Sequence, residues 1–260
     1  MNKTLMRLAP VGLLVLAGAG TAWGQDEPTA APPAHPVETY TCKYNKGKGL
    51  ADLDKVLVEW NAWMDKQGVK NYFGAVITPY YSGDFAFDVG WLGVWPDGNA
   101  MGSVTDVWTT KGGEMAAKIN TVVNCTSHSN FVSLTVKPPS RREAPADKPF
   151  ILSFSNCSMK EDKTFDDLMA AQQAWNTYAD ANGFTGGAWL MFPLYGETDN
   201  DYDFKSVESS PDFVTFGADY QRMSDGAWRK AEELFAPVVK CDHSRLYIAR
   251  RVRDWDTEQD

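Results

Sequence analysis

The chain has 260 residues, with 25 Lys and Arg against 34 Asp and Glu, a net charge of −9 at pH 7. An acidic balance repels phosphate backbones and anionic membrane surfaces, so neither nucleic acid nor a membrane surface is an expected partner. The length is more than one ordinary core needs and comfortable for two.

The N-terminus reads as a secretory signal. Lys3 and Arg7 precede an apolar run from Leu8 to Ala19, and Ala22-Trp23-Gly24 gives small residues at the −3 and −1 positions of a cleavage site. Cleavage is expected after Gly24, with a rival after Ala22; an uncleaved membrane anchor is the alternative, which the shortness of the run disfavours. Cleavage would leave 23 basic and 34 acidic residues, a net −11, because the first 24 residues carry two basic and no acidic side chains. No later segment is long and apolar enough to cross a bilayer, so a periplasmic or secreted protein with no membrane contact after cleavage is expected. The oligomeric state is not legible.

Residues 25–36 form a Pro-rich leader expected to be flexible. From there the chain repeats itself. A shift of 115 positions lays Cys42–Gly102 on Cys157–Gly217 without a gap, with 14 of 61 positions identical. The pairs include Cys42/Cys157, Trp60/Trp175, Asn61/Asn176, Asp65/Asp180, Gly68/Gly183, Tyr80/Tyr195 and Asp97/Asp212, and Trp-Asn-x-x-x-Asp-x-x-Gly stands in both copies. This is duplication: a first repeat over 37–137, a Pro-rich linker over 138–149, a second repeat over 150–254 and a tail over 255–260.

Each copy has the same plan. Val37–Tyr44 and Phe150–Met159 open with β-favouring residues. Leu50–Gln67 and Phe165–Asn182 follow the helical period, and Gly68 and Gly183 stand where a helix end wants a left-handed residue. Gly74–Tyr81 and Phe85–Trp95 flank the turn Ser82-Gly83-Asp84; Ala188–Tyr195 and Tyr202–Val207 flank Gly196–Asp201. Asp97 and Asp212 read as helix caps. Broken helical regions then lead to Phe131–Val136 and Leu246–Val252. The order β-α-β-β-α-β, twice, is the ferredoxin-like plan of an α+β protein.

Four cysteines in an exported chain suggest two disulfides, and Cys-x-x-Cys zinc pairs are absent. Three connectivities are open by count alone. In this topology the last strand lies beside the first, and with the repeat this selects Cys42–Cys125 and Cys157–Cys241. The free sheet faces carry Val76, Ile77, Phe85, Phe87, Trp91, Trp189, Met191 and Tyr202, so the two units are expected to pack sheet to sheet as a pseudo-dimer.

Tandem units of this order and aromatic content resemble the dimeric α/β-barrel superfamily, which includes antibiotic-biosynthesis monooxygenases and several haem-modifying proteins. The resemblance covers both copies as an element order, carries no family motif, and implies a pocket rather than a particular activity. In the monooxygenases, Asn, Trp and Tyr side chains hold the ligand.

The candidate ligand residues are Trp60, Asn61, Trp175, Asn176, Tyr80, Tyr195, His128 and His243. The tryptophans lie on the apolar helix faces, where rings commonly fill core space; a ligand pocket is the sharper reading. Asn61 and Asn176 each sit beside a Trp and need a partner if buried, either backbone or helix neighbour or a polar ligand atom. His128 and His243 follow the second Cys of each copy. Either could be a general base or a haem or metal ligand, but a strand-edge role is simpler and no other His lies within the repeats. Glu197–Asp203 alternates acids like a calcium loop, but Phe204 and Ser210 fall where that loop needs Gly and Glu. No nucleophile, dinucleotide or phosphate-loop signature is present, and no cofactor or metal is expected. Three functions stay open: binding of a small apolar or aromatic ligand, a cofactor-independent monooxygenase-like reaction, or a protein-interaction role in the cell envelope without a ligand.

Overall fold

A computed structural model of the chain describes residues 33–83, 86–139, 148–196 and 201–255. The expected signal segment, most of the 25–36 leader, linker residues 140–147, the acidic loop residues 197–200, the turn residues 84–85 and the tail from 256 lie outside the described residues.

The first half runs β1 (Ala34–Tyr44), α1 (Leu50–Lys66), β2 (Phe73–Tyr81), β3 (Val89–Val94), α2 (Gly98–Lys111), α3 (Gly113–Asn120) and β4 (Val123–Lys137). The second runs β5 (Phe150–Met159), α4 (Phe165–Ala181), β6 (Gly187–Tyr195), β7 (Phe204–Ser210), α5 (Phe213–Arg222), a π-helical turn at Met223–Ala227, α6 (Trp228–Phe235), β8 (Val239–Cys241) and β9 (Arg245–Arg253). Local chemistry sets the boundaries. Asp97 and Asp212 accept from the backbone of Ala100 and Thr215 and so start α2 and α5. Thr164 and Asp167 form a reciprocal capping box on α4. Gly68 and Gly183 adopt φ of 72° and 77° beyond α1 and α4, where a side chain would be strained.

The strands pair antiparallel in the order β7-β6-β4-β1-β3-β2-β9-β5, and a β7–β5 pairing closes the ring into an eight-stranded barrel, with β8 on the end of β5. The two halves are therefore not two separate sheets laid face to face. They are hydrogen-bonded along both seams, β2 to β9 and β4 to β6. Closure leaves no open edge in the ring. The pairing maps onto itself between halves: β1–β3 with β5–β7, β2–β3 with β6–β7, β1–β4 with β5–β9.

Alternation along the strands divides the core in two kinds. Val37, Ile77, Leu92, Phe131, Phe154 and Tyr247 fill the barrel interior. Helix-side residues make separate cores, with Leu53, Leu57, Trp60, Met64, Val76 and Trp95 in the first half and Leu168, Leu190, Phe204 and Val239 in the second. Val76 and Trp91, expected on the inter-unit face, belong to the first helix-side core. Two further expectations shift. The strand expected at Phe131–Val136 begins at Val123, because β4 pairs with β1 along its length and with β6 beyond Asn130. The strand expected at Tyr202–Val207 is Phe204–Ser210, held extended by β5 and β6 on either side despite its serines.

Both expected disulfides are formed, Cys42–Cys125 and Cys157–Cys241, and no cysteine is free. Two such bonds fit an oxidising compartment. No helix among the described residues is long and apolar enough to cross a membrane.

Candidate functional site

On the helix side of β1 the alternation places Glu38, Tyr40 and Cys42 opposite to the barrel-facing Val37. Glu38 is thus a carboxylate on a face that should be apolar. Between this face and the first-half helices lies a cavity of about 900 Å³, walled by Trp60, Trp91, Trp95, Trp108, Met64 and Tyr72 and open toward His128.

One hydrogen-bond chain runs along its wall. The Trp91 indole Nε1 donates to the Tyr72 hydroxyl at 2.6 Å, and that hydroxyl donates to Glu38 Oε1 at 2.6 Å. Glu38 Oε2 lies 2.8 Å from His128 Nε2. The His128 ring stacks on Tyr40, centroids 3.8 Å apart and 10° from parallel. The Glu38 side chain is 14 % exposed and that of His128 53 %, so the imidazole stands between the carboxylate and solvent. Burial first, then the Glu38 charge and hydrogen bond, hold the Tyr40 phenol well above its ordinary pKa. The same causes in the same order raise Tyr72, against an opposing contribution from Trp91. Both phenols therefore keep their protons and act as donors.

Glycines make room for this arrangement. A Cβ at Gly93 would stand 2.1 Å from the Tyr72 hydroxyl and 2.8 Å from Glu38 Oε1; one at Gly74 would stand 2.5 Å from Trp91. Trp95 is 4 % exposed, and its indole Nε1 is buried without a hydrogen-bond partner among the described residues. Chemically, the site offers an aromatic slot and a carboxylate–imidazole pair able to take a proton from a ligand hydroxyl. Among the described residues no group of three or more His, Cys, Asp or Glu is placed to hold a metal.

The residues expected from sequence divide. Trp60 lines the cavity, edge-on to Trp91 at 5.1 Å. His128 is at its mouth, and Tyr195 reaches its rim from β6 of the other half. Trp175 lines a separate second-half cavity. Asn61 and Asn176 face neither cavity. Asn61 Nδ2 donates to the Val252 carbonyl at 2.7 Å, and Asn176 Nδ2 to the Val136 carbonyl at 2.6 Å, so each amide is used up on the last strand of the opposite half. Tyr80 is exposed and packs on Tyr81 and Phe213. By strand register the counterpart of Tyr195 is Tyr81, not Tyr80. His243 lies on the exposed turn between β8 and β9. It is not the counterpart of His128: His128 faces Tyr40, and at the matching place Ser155 bonds Ser244 at 2.6 Å. The cause is one extra residue between the pairs, which shifts the offset from 115 to 116 past Cys125 and Cys241.

Glu38, Tyr40 and Tyr72 were not expected. The available signals were an acid two residues before Tyr40 on one strand face, and glycines 90 and 93 inside an otherwise apolar strand. The second half lacks this set. Ser153, Ser155, Ser206, Ser210 and Ser244 stand where the first has Glu38, Tyr40, Trp91, Trp95 and His128, and Glu208 replaces Gly93.

No protein-family model matches the chain. No curated protein sequence matches it. Solved structures do. A protein designated a monooxygenase from Fusobacterium nucleatum has a TM-score of 0.53 at 11% identity, covering 88% of this chain and 96% of that one. An anthrone oxidase-like protein has a TM-score of 0.51 at 11% identity, covering 87% and 96%. A protein designated a chlorite dismutase has a TM-score of 0.51 at 13% identity, covering 84% and 96%.

Proposed function

We infer a ligand-binding role from the fold, which is that of the dimeric α/β-barrel proteins, among them the chlorite dismutase-like and monooxygenase-like structures it matches. We propose that the first-half cavity binds a flat, largely apolar ligand bearing an ionisable hydroxyl, directed at Glu38 and His128. The observation that carries this reading is the Trp91–Tyr72–Glu38–His128 chain on the wall of an aromatic cavity. Glu38 holds the imidazole in place and offsets its charge when it takes the ligand proton.

A second reading follows from the same site and the monooxygenase-like neighbours. A ligand deprotonated at an activated ring carbon can itself reduce dioxygen. A CH2 group then becomes C=O, one oxygen atom enters the ligand and the other leaves as water, so no external reductant is needed. Glu38 and His128 would remove the proton, and the aromatic walls would exclude bulk water.

The element order and pairing map support two tandem ferredoxin-like β-α-β-β-α-β units from one duplicated ancestor, with this chemistry kept in the first. The signal pattern and the two disulfides support a periplasmic or secreted protein.

Tryptophan fluorescence titrated with 2-naphthol and with naphthalene tests the binding reading. The expected result is saturable quenching by both, with 2-naphthol favoured by about tenfold and the preference lost in Glu38→Gln. If neither compound perturbs the fluorescence, the reading fails. Oxygen uptake with anthrone, one O2 per ligand and lost in Glu38→Gln, tests the second reading; uptake equal to a protein-free control removes it.

A further inference from the structure

The second half has its own cavity, about 380 Å³, between its sheet and α4–α6. Its walls include the rings of Trp175, Phe184, Phe216 and Tyr220. Two tryptophans of the first half are serines here, Ser206 and Ser210, and both line the space so opened.

The charges around it do not cancel. Lys137 pairs with Asp180. Arg222 pairs with Asp219 at 2.8 Å. Glu208, on the helix side of β7 with Phe204 and Ser206, lines the cavity with no hydrogen-bond or ion-pair partner among the described residues. Glu208 is an exposed residue that nevertheless lines the cavity beside these rings. A carboxylate without a counter-charge beside aromatic rings is a matching partner for an organic cation.

We propose that the second-half cavity is a separate binding site for an organic cation, a primary or substituted amine carried on an aromatic or aliphatic ring. Its ammonium group meets Glu208, with Asp219 adding to the negative field, and its ring lies among Trp175, Phe184 and Tyr220. The electrostatics of the two carboxylates agree with this. Burial first, and the neighbouring Asp219 charge second, raise the Glu208 pKa, and a bound cation opposes both. Burial raises Asp219 as well, and Arg222, the Thr185 amide and Lys137 only partly offset it. The duplicated halves would then differ in ligand charge: a proton acceptor for an acidic hydroxyl in one, a counter-charge for an amine in the other.

The test uses the full mature protein with its disulfides intact. Benzylamine and its neutral counterpart benzyl alcohol are titrated by calorimetry at neutral pH. Benzylamine is expected to bind at least about tenfold more tightly than the alcohol. Glu208→Gln should abolish that preference while circular dichroism and melting show a folded protein of equal or higher stability. Glu38→Gln should leave benzylamine binding unchanged, which separates this site from the first-half cavity. Equal affinity for the two probes, no binding of benzylamine, or an unaltered preference in Glu208→Gln would each overturn the proposal.

Discussion

Asn61 on α1 donates through Nδ2 to the carbonyl of Val252 on β9 at 2.7 Å, and so ties the first half's helix to the second half's last strand. Asn176 on α4 does the same to Val136 on β4 at 2.6 Å. Four residues on, Asp65 pairs with Arg253 and Asp180 with Lys137, both bases being nearly buried. The repeated Trp-Asn-x-x-x-Asp motif is therefore a pair of clamps, one on each seam of the barrel. Asn61→Ala and Asn176→Ala should each cost about 1–2 kcal/mol in urea unfolding, because a partly buried carbonyl loses its donor. The double variant should be near-additive, since the seams share no partners. Affinity for cavity ligands should stay the same; a lost ligand with unchanged stability would return Asn61 to the binding site.

Gly93→Ala should disturb the first cavity directly. The added methyl would stand 2.1 Å from the Tyr72 hydroxyl. A loss of about 1–3 kcal/mol in chemical denaturation is expected, together with loss of 2-naphthol selectivity. Adding Tyr72→Phe should recover part of the stability, because the clashing oxygen is gone, without recovering selectivity.

The tyrosines beside Glu38 make the fold sensitive to alkali. Folded Tyr40 and Tyr72 titrate above the ordinary value of 10.0, so the unfolded chain loses those protons first. Their contribution is complete below pH ~10 and is lost as pH rises toward their folded values. Urea midpoints measured from pH 8 upward should fall beyond that point, and the fall should be shallower in Tyr40→Phe and Tyr72→Phe.

The disulfides join partners 83 and 84 positions apart. Replacing either pair with serines should cost roughly 2–4 kcal/mol by relaxing the unfolded chain, read as a lower melting temperature. Loss of the Cys42–Cys125 pair should also weaken ligand binding, because both cysteines line the first cavity.

Much of the architecture was legible in the residues. Duplication showed in the Cys, Trp and Asn pairs on one diagonal; the helices showed in their apolar period and glycine ends; the disulfide pairing followed from element order. These are local or periodic properties, carried by neighbours in the chain. Asn61 and Asn176 were equally visible, but their purpose was not, because Val252 and Val136 come near them only when the two halves share a barrel. The same holds for Glu38. On the strand it is one acid among β-formers, and only closure against Tyr72, Trp91 and His128 makes it the centre of a site. One-residue offsets decided the rest. They replaced His243 by Ser244 and Tyr80 by Tyr81 as the true counterparts, since side chains in a strand change face at every residue and only the hydrogen-bonded register says which face is which.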